Sequence, residues 1–340
     1  MSQSCKNNKG VKGNMKNILL DTINDNTNLG QILSTYALYK TIEKLGDYFV
    51  VYDDKKCGQT KISEYIESYC CKLSESHAYG TEQEFRDQLH AVVTGSTKRW
   101  EYGKQETIES CFFSQEKDTV KRIAYAPSFG RKCEFPLGPK NAVFFALQRF
   151  NGIAAADRNT LEILNMEFGM SAEKVCHPVL LLEKYPYLDA YGVDGLFIST
   201  FFEKRDNQKQ KVAEMAEETL KYRVIDYSKD QTNRNDKSVD EYLRAIEKSS
   251  LIITDSAVIC HLAIVYKKPF IAVVSRQEND AYECLSTLDE LGLMERVIYI
   301  EDDVREKKYL CRKPIRYGMV DSKLDVFRMK SVQWLKEKLM

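Results

Sequence analysis

Short apolar runs alternate with amphipathic stretches along most of this chain, an order that predicts parallel β-sheets flanked by helices. Residues 17–21, centred on Ile18, Leu19 and Leu20, predict a buried strand, and the following TINDNTNLG is a polar loop. Residues 31–45 then place Ile32, Leu33, Tyr36, Leu38, Ile42 and Leu45 mostly on one helical face, and YFVVYD at 48–53 returns as a strand. This is one βαβ unit. Residues 55–90 are highly charged with helical spacing in places, which predicts an excursion from the sheet. Strands are expected at 91–94, 121–126 and 152–156, and a helix over 160–168 that ends on Gly169.

A second alternating set begins at GLFIST, residues 195–200. Helices are expected around 208–221, 239–248, 256–266 and 282–291, and strands at 222–226, 250–254, 269–274 and 296–300. The stretch 228–238 has no large apolar residue and predicts a solvated loop. Residues 324–339 carry Val326, Phe327, Met329, Val332, Trp334 and Leu335, an amphipathic helix that must pack on something. No repeat with a fixed period is present, which sets solenoids and propellers aside. The expected domains are 17–182, 183–322 and a C-terminal helix, 323–340, packing back on the first. Two α/β halves facing a shared cleft is the economical arrangement.

The length of 340 residues agrees with two domains at roughly 150 residues each. Lysine plus arginine, 50, cancels aspartate plus glutamate, 50, so no global basic field exists to hold nucleic acid. Ten cysteines in this length fall well below the roughly 8–10% of disulfide scaffolds and are expected as reduced thiols. Their spacing, including the adjacent Cys70 and Cys71, matches no zinc knuckle, so neither metal nor cofactor is expected. The apolar segment behind the basic N-terminus is too short for a signal peptide, and no run approaches the roughly 18 apolar residues of a spanning helix. A cytoplasmic protein with at most peripheral membrane contact is the expectation.

Ligands of such sheets bind beyond the carboxyl ends of the strands. The loop after the first strand carries Asn28 and Gly30 at a helix start, which reads first as a cap and next as a seat for an anion. It matches neither a dinucleotide fingerprint nor a P-loop. Asp255 and Ser256 follow the strand LIIT and open another helix, again as caps or as ligand contacts, and His261 lies one to two turns into it, where packing competes with proton transfer. Arg158 and Arg276 follow two other strands, where planar guanidinium forks could clamp a carboxylate or phosphate unless an internal acid pairs with them.

Several segments resemble, in order, those of the polysaccharide pyruvyl transferase family. The opening ILLDTINDNTNLGQILSTYALYKTIEKLG is similar to its strand, loop and ILQAYALQKxLEKLG helix; VVTGSTKRW to VVGSDQVW; RIAYAPSFG to YAxSFG; AADRNTLEIL to SVREKxGxELL; VCHPVLLL to VLDPTLLL; and SSLIITDSAVICHLAIVYKKPFIAVV to AxxVVTDSFHGxxFSIIxxKPFIAI. The resemblance spans about residues 17–300. It implies two Rossmann-like domains in a GT-B-like fold and transfer of pyruvate from phosphoenolpyruvate, as a ketal, onto a sugar of a surface polysaccharide. Under it Arg158 grips the donor, and Asp255 and Ser256 match the TDS turn; Arg276 does not align with the family's second arginine, whose place by spacing is Glu283. Taken with the strand-end reading, the candidate catalytic residues are His261 and Arg158, and the candidate substrate contacts Asn28, Gly30, Ser96, Asp255, Ser256 and Arg276. The acceptor is a glycan or lipid-linked sugar.

The chain departs from that pattern at chemically important points. The family's histidine after the TDS turn falls on Val258, its glycine on Ile259, the aspartate of GSDQ on Thr97 and that of DP on His177. Loss of a general acid typically costs 10²- to 10⁴-fold in rate. His261, displaced by three positions, is the candidate replacement. The alternatives are a GT-B glycosyltransferase using a sugar nucleotide near residues 254–261, and a catalytically silent relative that binds a glycan or a partner enzyme.

Overall fold

The computed structural model describes residues 15–23, 25–54, 59–75, 81–95, 100–101, 119–130, 135, 137–188, 195–228, 237–276 and 281–340. The chain forms two compact units, one of the described residues up to Leu181 with Phe327–Met340, the other Leu182–Val326.

The first unit is built on six parallel strands: β1 (Lys16–Asp21), β2 (Tyr48–Tyr52), β3 (Leu89–Gly95), β4 (Lys121–Tyr125), β5 (Gly152–Ala155) and the short β6 (Glu173–Lys174). Their order is β2-β1-β3-β4-β5-β6, with Ile18 opposite both Val50 and Ala91. Strands β1 to β5 are buried almost throughout, as expected where helices cover both faces, and read as continuous apolar runs rather than alternations. Helix α1 (Leu29–Glu43) is buried nearly all round because it also packs on the 3₁₀ turn Pro178–Leu181. The charged excursion holds two short helices, α2 (Ser63–Tyr69) and α3 (Glu82–Asp87), the latter closed by a Thr81–Glu84 capping box.

Helix α4 (Leu137–Leu147) was not expected. Its Gly138 and Pro139 look like turn residues, yet a proline in the first turn lacks only an N–H that would be unpaired anyway. Helix α5 (Arg158–Phe168) starts two residues before the expected helix and ends on Gly169 in the left-handed conformation. Cys71 takes part in a disulfide, which corrects the expectation of reduced thiols throughout; Cys70, Cys176, Cys260, Cys284 and Cys311 are free and buried.

The second unit repeats the plan with five parallel strands: β7 (Phe197–Phe201), β8 (Arg223–Asp226), β9 (Leu251–Thr254), β10 (Phe270–Val274) and β11 (Val297–Tyr299), in the order β11-β10-β9-β7-β8. Helices α6 (Asn207–Leu220), α7 (Val239–Lys248), α8 (Ala257–Val265) and α9 (Tyr282–Leu291) alternate with them. One core cluster joins Val212, Ala213 and Ala216 of α6 to Ile198, Ile253, Ile271 and Ile298 of the sheet. Arg296 is fully buried, its guanidinium donating to the carbonyls of Phe270, Leu310 and Lys313.

The last helix, α10 (Tyr317–Leu339), begins seven residues before the expected 324. Its early residue Tyr317 donates to the carbonyls of Ala263 and Lys268 in the second unit. Its later residues complete the first: Ser331 Oγ accepts the Cys176 amide at 2.9 Å, Arg328 donates to the Leu180 carbonyl, and Trp334 lies 6.1 Å from Tyr125, ring to ring.

Gly95, the last residue of β3, is held to glycine by its neighbour strand, since a Cβ there would sit 2.1 Å from the Tyr125 carbonyl oxygen. Gly95→Ala must therefore push β3 away from β4. We expect a loss of about 3 kcal/mol or more, read as a lowered midpoint of urea unfolding.

Candidate functional site

The strand order of each parallel sheet reverses once, between β1 and β3 in the first unit and between β7 and β9 in the second. Such a switch point sends the two adjoining loops to opposite faces and leaves a crevice beyond the strand ends.

In the second unit the crevice edge is a closed polar network. Thr254 Oγ1 donates to the Phe201 carbonyl at 2.7 Å and accepts the Ser256 amide at 3.0 Å, tying β7 to β9. Asp255 accepts the Glu203 amide at 2.7 Å through one oxygen and Lys209 Nζ at 2.8 Å through the other. This ion pair is buried, with side-chain exposures of 2% for Lys209 and 9% for Asp255. Burial raises the Asp255 carboxyl above its ordinary range, and the Lys209 ammonium offsets that only in part. Ser256, at the start of α8, donates its hydroxyl to the exposed Glu203 carboxylate at 3.0 Å. Beside them the Tyr242 hydroxyl is pushed up to about 12, first by burial and then by Glu203 and Glu241. At the end of β8, Asp226 accepts Thr200 Oγ1 and the Ser228 amide, both at 2.9 Å, and pairs with Arg205 at 2.8 Å.

Two other expected site residues of this unit are committed elsewhere. His261 is fully buried in α8, with Nε2 3.0 Å from Thr287 Oγ1 on α9. The imidazole expected to face a ligand thus lies inside the fold, packed between α8 and α9. Arg276 is half-exposed but engaged: its guanidinium contacts both Asp302 oxygens, at 2.7 and 3.2 Å, and lies 4.0 Å over the Tyr299 ring. The Asp302 hydrogen bond holds that guanidinium in its charged form, so the arginine answers acids of its own chain.

In the first unit, Asn28 is the cap of α1, its side chain accepting the Gln31 amide at 3.2 Å, and Gly30 is a buried residue inside the first turn. The capping reading thus accounts for Asn28 and for the position of Gly30. Ser96 lies outside the described residues. Asp157 caps α5 and accepts both the amide and hydroxyl of Thr160, at 2.7 and 2.9 Å. Arg158 is the first helical residue after it and is exposed at the carboxyl end of β5. Its neighbour Asn159 donates to the Gly130 carbonyl at 2.8 Å, and Gly130, at φ 71°, makes room for the buried Glu101. His177, where the resembled family has aspartate, does an aspartate's capping work: its Nδ1 accepts the Val179 amide at 3.3 Å. Arg158 and Arg276 belong to different units.

Sequence reasoning missed Glu203 and Lys209. Glu203 was accessible to the same rule that selected Asp255, since it follows a strand in the same sheet. Lys209 carries no such signal, because a lysine in the first turn of a polar helix looks solvated. Among the described residues no group of three or more His, Cys, Asp or Glu could hold a metal, and no helix is long and apolar enough to cross a membrane.

No family model matches the chain, and no curated protein does. Solved structures do share its fold. A Staphylococcus aureus MnaA–UDP structure is similar with a TM-score of 0.54 and 14% identity over 91% of this chain and 90% of that one. UDP-GlcNAc 2-epimerase from Methanocaldococcus jannaschii gives 0.52 and 14% over 88% and 91%. The Neisseria meningitidis enzyme bound to UDP-GlcNAc gives 0.51 and 10% over 94% and 99%. The fold is therefore the two-unit, Rossmann-like α/β fold of the GT-B class.

Burial would raise the Asp226 carboxyl, but hydrogen bonds from Ser228 and Thr200 outweigh it, with help from Arg205, and hold it below its ordinary range. A lowered carboxyl contributes stability above its unfolded value, about pH 3.9, and that contribution is lost as pH falls through the folded value. The difference in melting temperature between wild type and Asp226→Asn should be full at pH 6 and shrink below about pH 4. A difference that grows on acidification contradicts this.

Proposed function

We propose that this protein is a GT-B-fold enzyme of glycan assembly that acts on a sugar nucleotide, with the nucleotide part held at the β7/β9 edge of the second unit. The observation that carries the reading is the likeness in fold, over 88% or more of this chain, to structures that include UDP- and UDP-GlcNAc-bound proteins. The local chemistry suits it. The carboxylates of Glu203 and Asp226 stand at this edge and can accept hydrogen bonds from the hydroxyls of such a ligand. With His261 in the core, proton transfer in any reaction at this edge falls to other groups.

A second reading, pyruvyl transfer from phosphoenolpyruvate, is favoured by the ordered motifs and by Arg158, which is exposed beside a helix N-terminus. A small dianion suits such a guanidinium.

The two readings separate in thermal unfolding. At a hundred times its Kd a ligand adds about 2.7 kcal/mol. A sugar-nucleotide protein should melt several degrees higher with uridine diphosphate or UDP-N-acetylglucosamine and not move with phosphoenolpyruvate. The reverse pattern, abolished by Arg158→Ala, supports pyruvyl transfer and defeats the leading proposal.

A further inference from the structure

A buried ion pair is a poor stabiliser, because taking both charges out of water offsets most of their attraction, and apolar replacements of similar volume are often as stable or more so. The Lys209–Asp255 pair therefore calls for another account, and its place supplies one. Asp255 opens the loop after β9, and its two oxygens reach across the switch point to the first residues beyond β7: the Glu203 backbone amide at 2.7 Å and the Lys209 ammonium at 2.8 Å on α6. Ser256 fixes the other end of the same residue, donating to Glu203 Oε1 at 3.0 Å. Glu203 is thus held at both main chain and side chain while its residue remains exposed at the sheet edge.

The geometry points to Lys209 and Asp255 as positioning residues that set the Glu203 carboxylate as the contact for a hydroxyl-bearing part of the ligand, a sugar or ribose ring, rather than for its phosphates. This inference rests on the sugar-nucleotide reading and names which part of such a ligand meets this edge. The sign of the charge carries it. Glu203 accepts from Ser256, the residue that opens α8, so the spot beside that hydroxyl already holds negative charge. A phosphate there would meet like charge, whereas a ring hydroxyl donates to a fixed, ionised acceptor in a charge-assisted bond. A carboxylate fixed in advance also loses less freedom on binding than a mobile one. On this view Asp255, the residue the sequence singled out as a ligand contact, acts through Glu203.

The test is calorimetric titration of the full chain with UDP-N-acetylglucosamine, uridine, N-acetylglucosamine and pyrophosphate. It uses wild type, Glu203→Gln, Glu203→Ala and the double variant Lys209→Met with Asp255→Leu. Glu203 is exposed, so its variants should fold normally. Glu203→Ala should weaken the hydroxyl-bearing probes by about tenfold or more, the size of a lost charge-assisted hydrogen bond, with a smaller loss in Glu203→Gln and pyrophosphate unaffected. The double variant should keep near-wild-type thermal stability yet bind those probes about as weakly as Glu203→Ala. Recovery of binding along with stability in the double variant would make the pair merely structural and overturn the inference. If UDP-N-acetylglucosamine binds but Glu203→Ala leaves it unchanged, the inference falls and the sugar-nucleotide reading stands. If only a free sugar binds, in a Glu203-dependent way, the reading falls and the inference stands. No saturable binding by any hydroxyl-bearing probe overturns both.

Discussion

Burial of parallel strands on both faces is the constraint from which the rest of this molecule follows. Each sheet is covered by helices, so its inner strands are apolar on both sides and leave no room for ligand chemistry on their faces. Polar groups gather instead where the chain leaves the sheet. In the second unit these are Glu203, Asp226, Asp255, Ser256 and Arg276, each one or two residues past a strand or at its last position. The same constraint explains why His261 is buried: it lies within a helix whose residues from Val258 to Val265 are all buried.

Much of the fold was legible because buried strands and their helices leave strong marks. The runs around Ile18, Val50, Val92, Ile252 and Val273 are too apolar and too short for anything else, and Gly169 and Gly292 end helices in the left-handed conformation that glycine tolerates best. Helix α4 was hidden because Gly138 and Pro139 occupy a first turn, where both are tolerated but read as breakers. Helices α2 and α3 were blurred by their charge and brevity.

The site was legible as a place more than as a set of groups. Strand ends pointed to Asp255 and Ser256, yet which atoms face a ligand depends on pairings between residues about fifty positions apart, such as Asp255 with Glu203 and Lys209. The first unit shows the same limit. Asn28 was recognisable as a cap, and Arg158 as the residue after a strand, but the fit of Glu101 against Gly130 needed the folded loops.

Helix α10 has a consequence for how the protein is made. The first unit is closed by Phe327–Met340, residues that leave the ribosome only after the whole of the second unit. Ser331 meets Cys176 across 155 positions, and Leu339 meets His90 across 249. The second unit, contiguous in the chain, can condense while synthesis continues, whereas the sheet begun first stays open along the seat of this helix until the final turns emerge. Synthesis from the amino end is thus matched to a fold whose earliest strands are completed last.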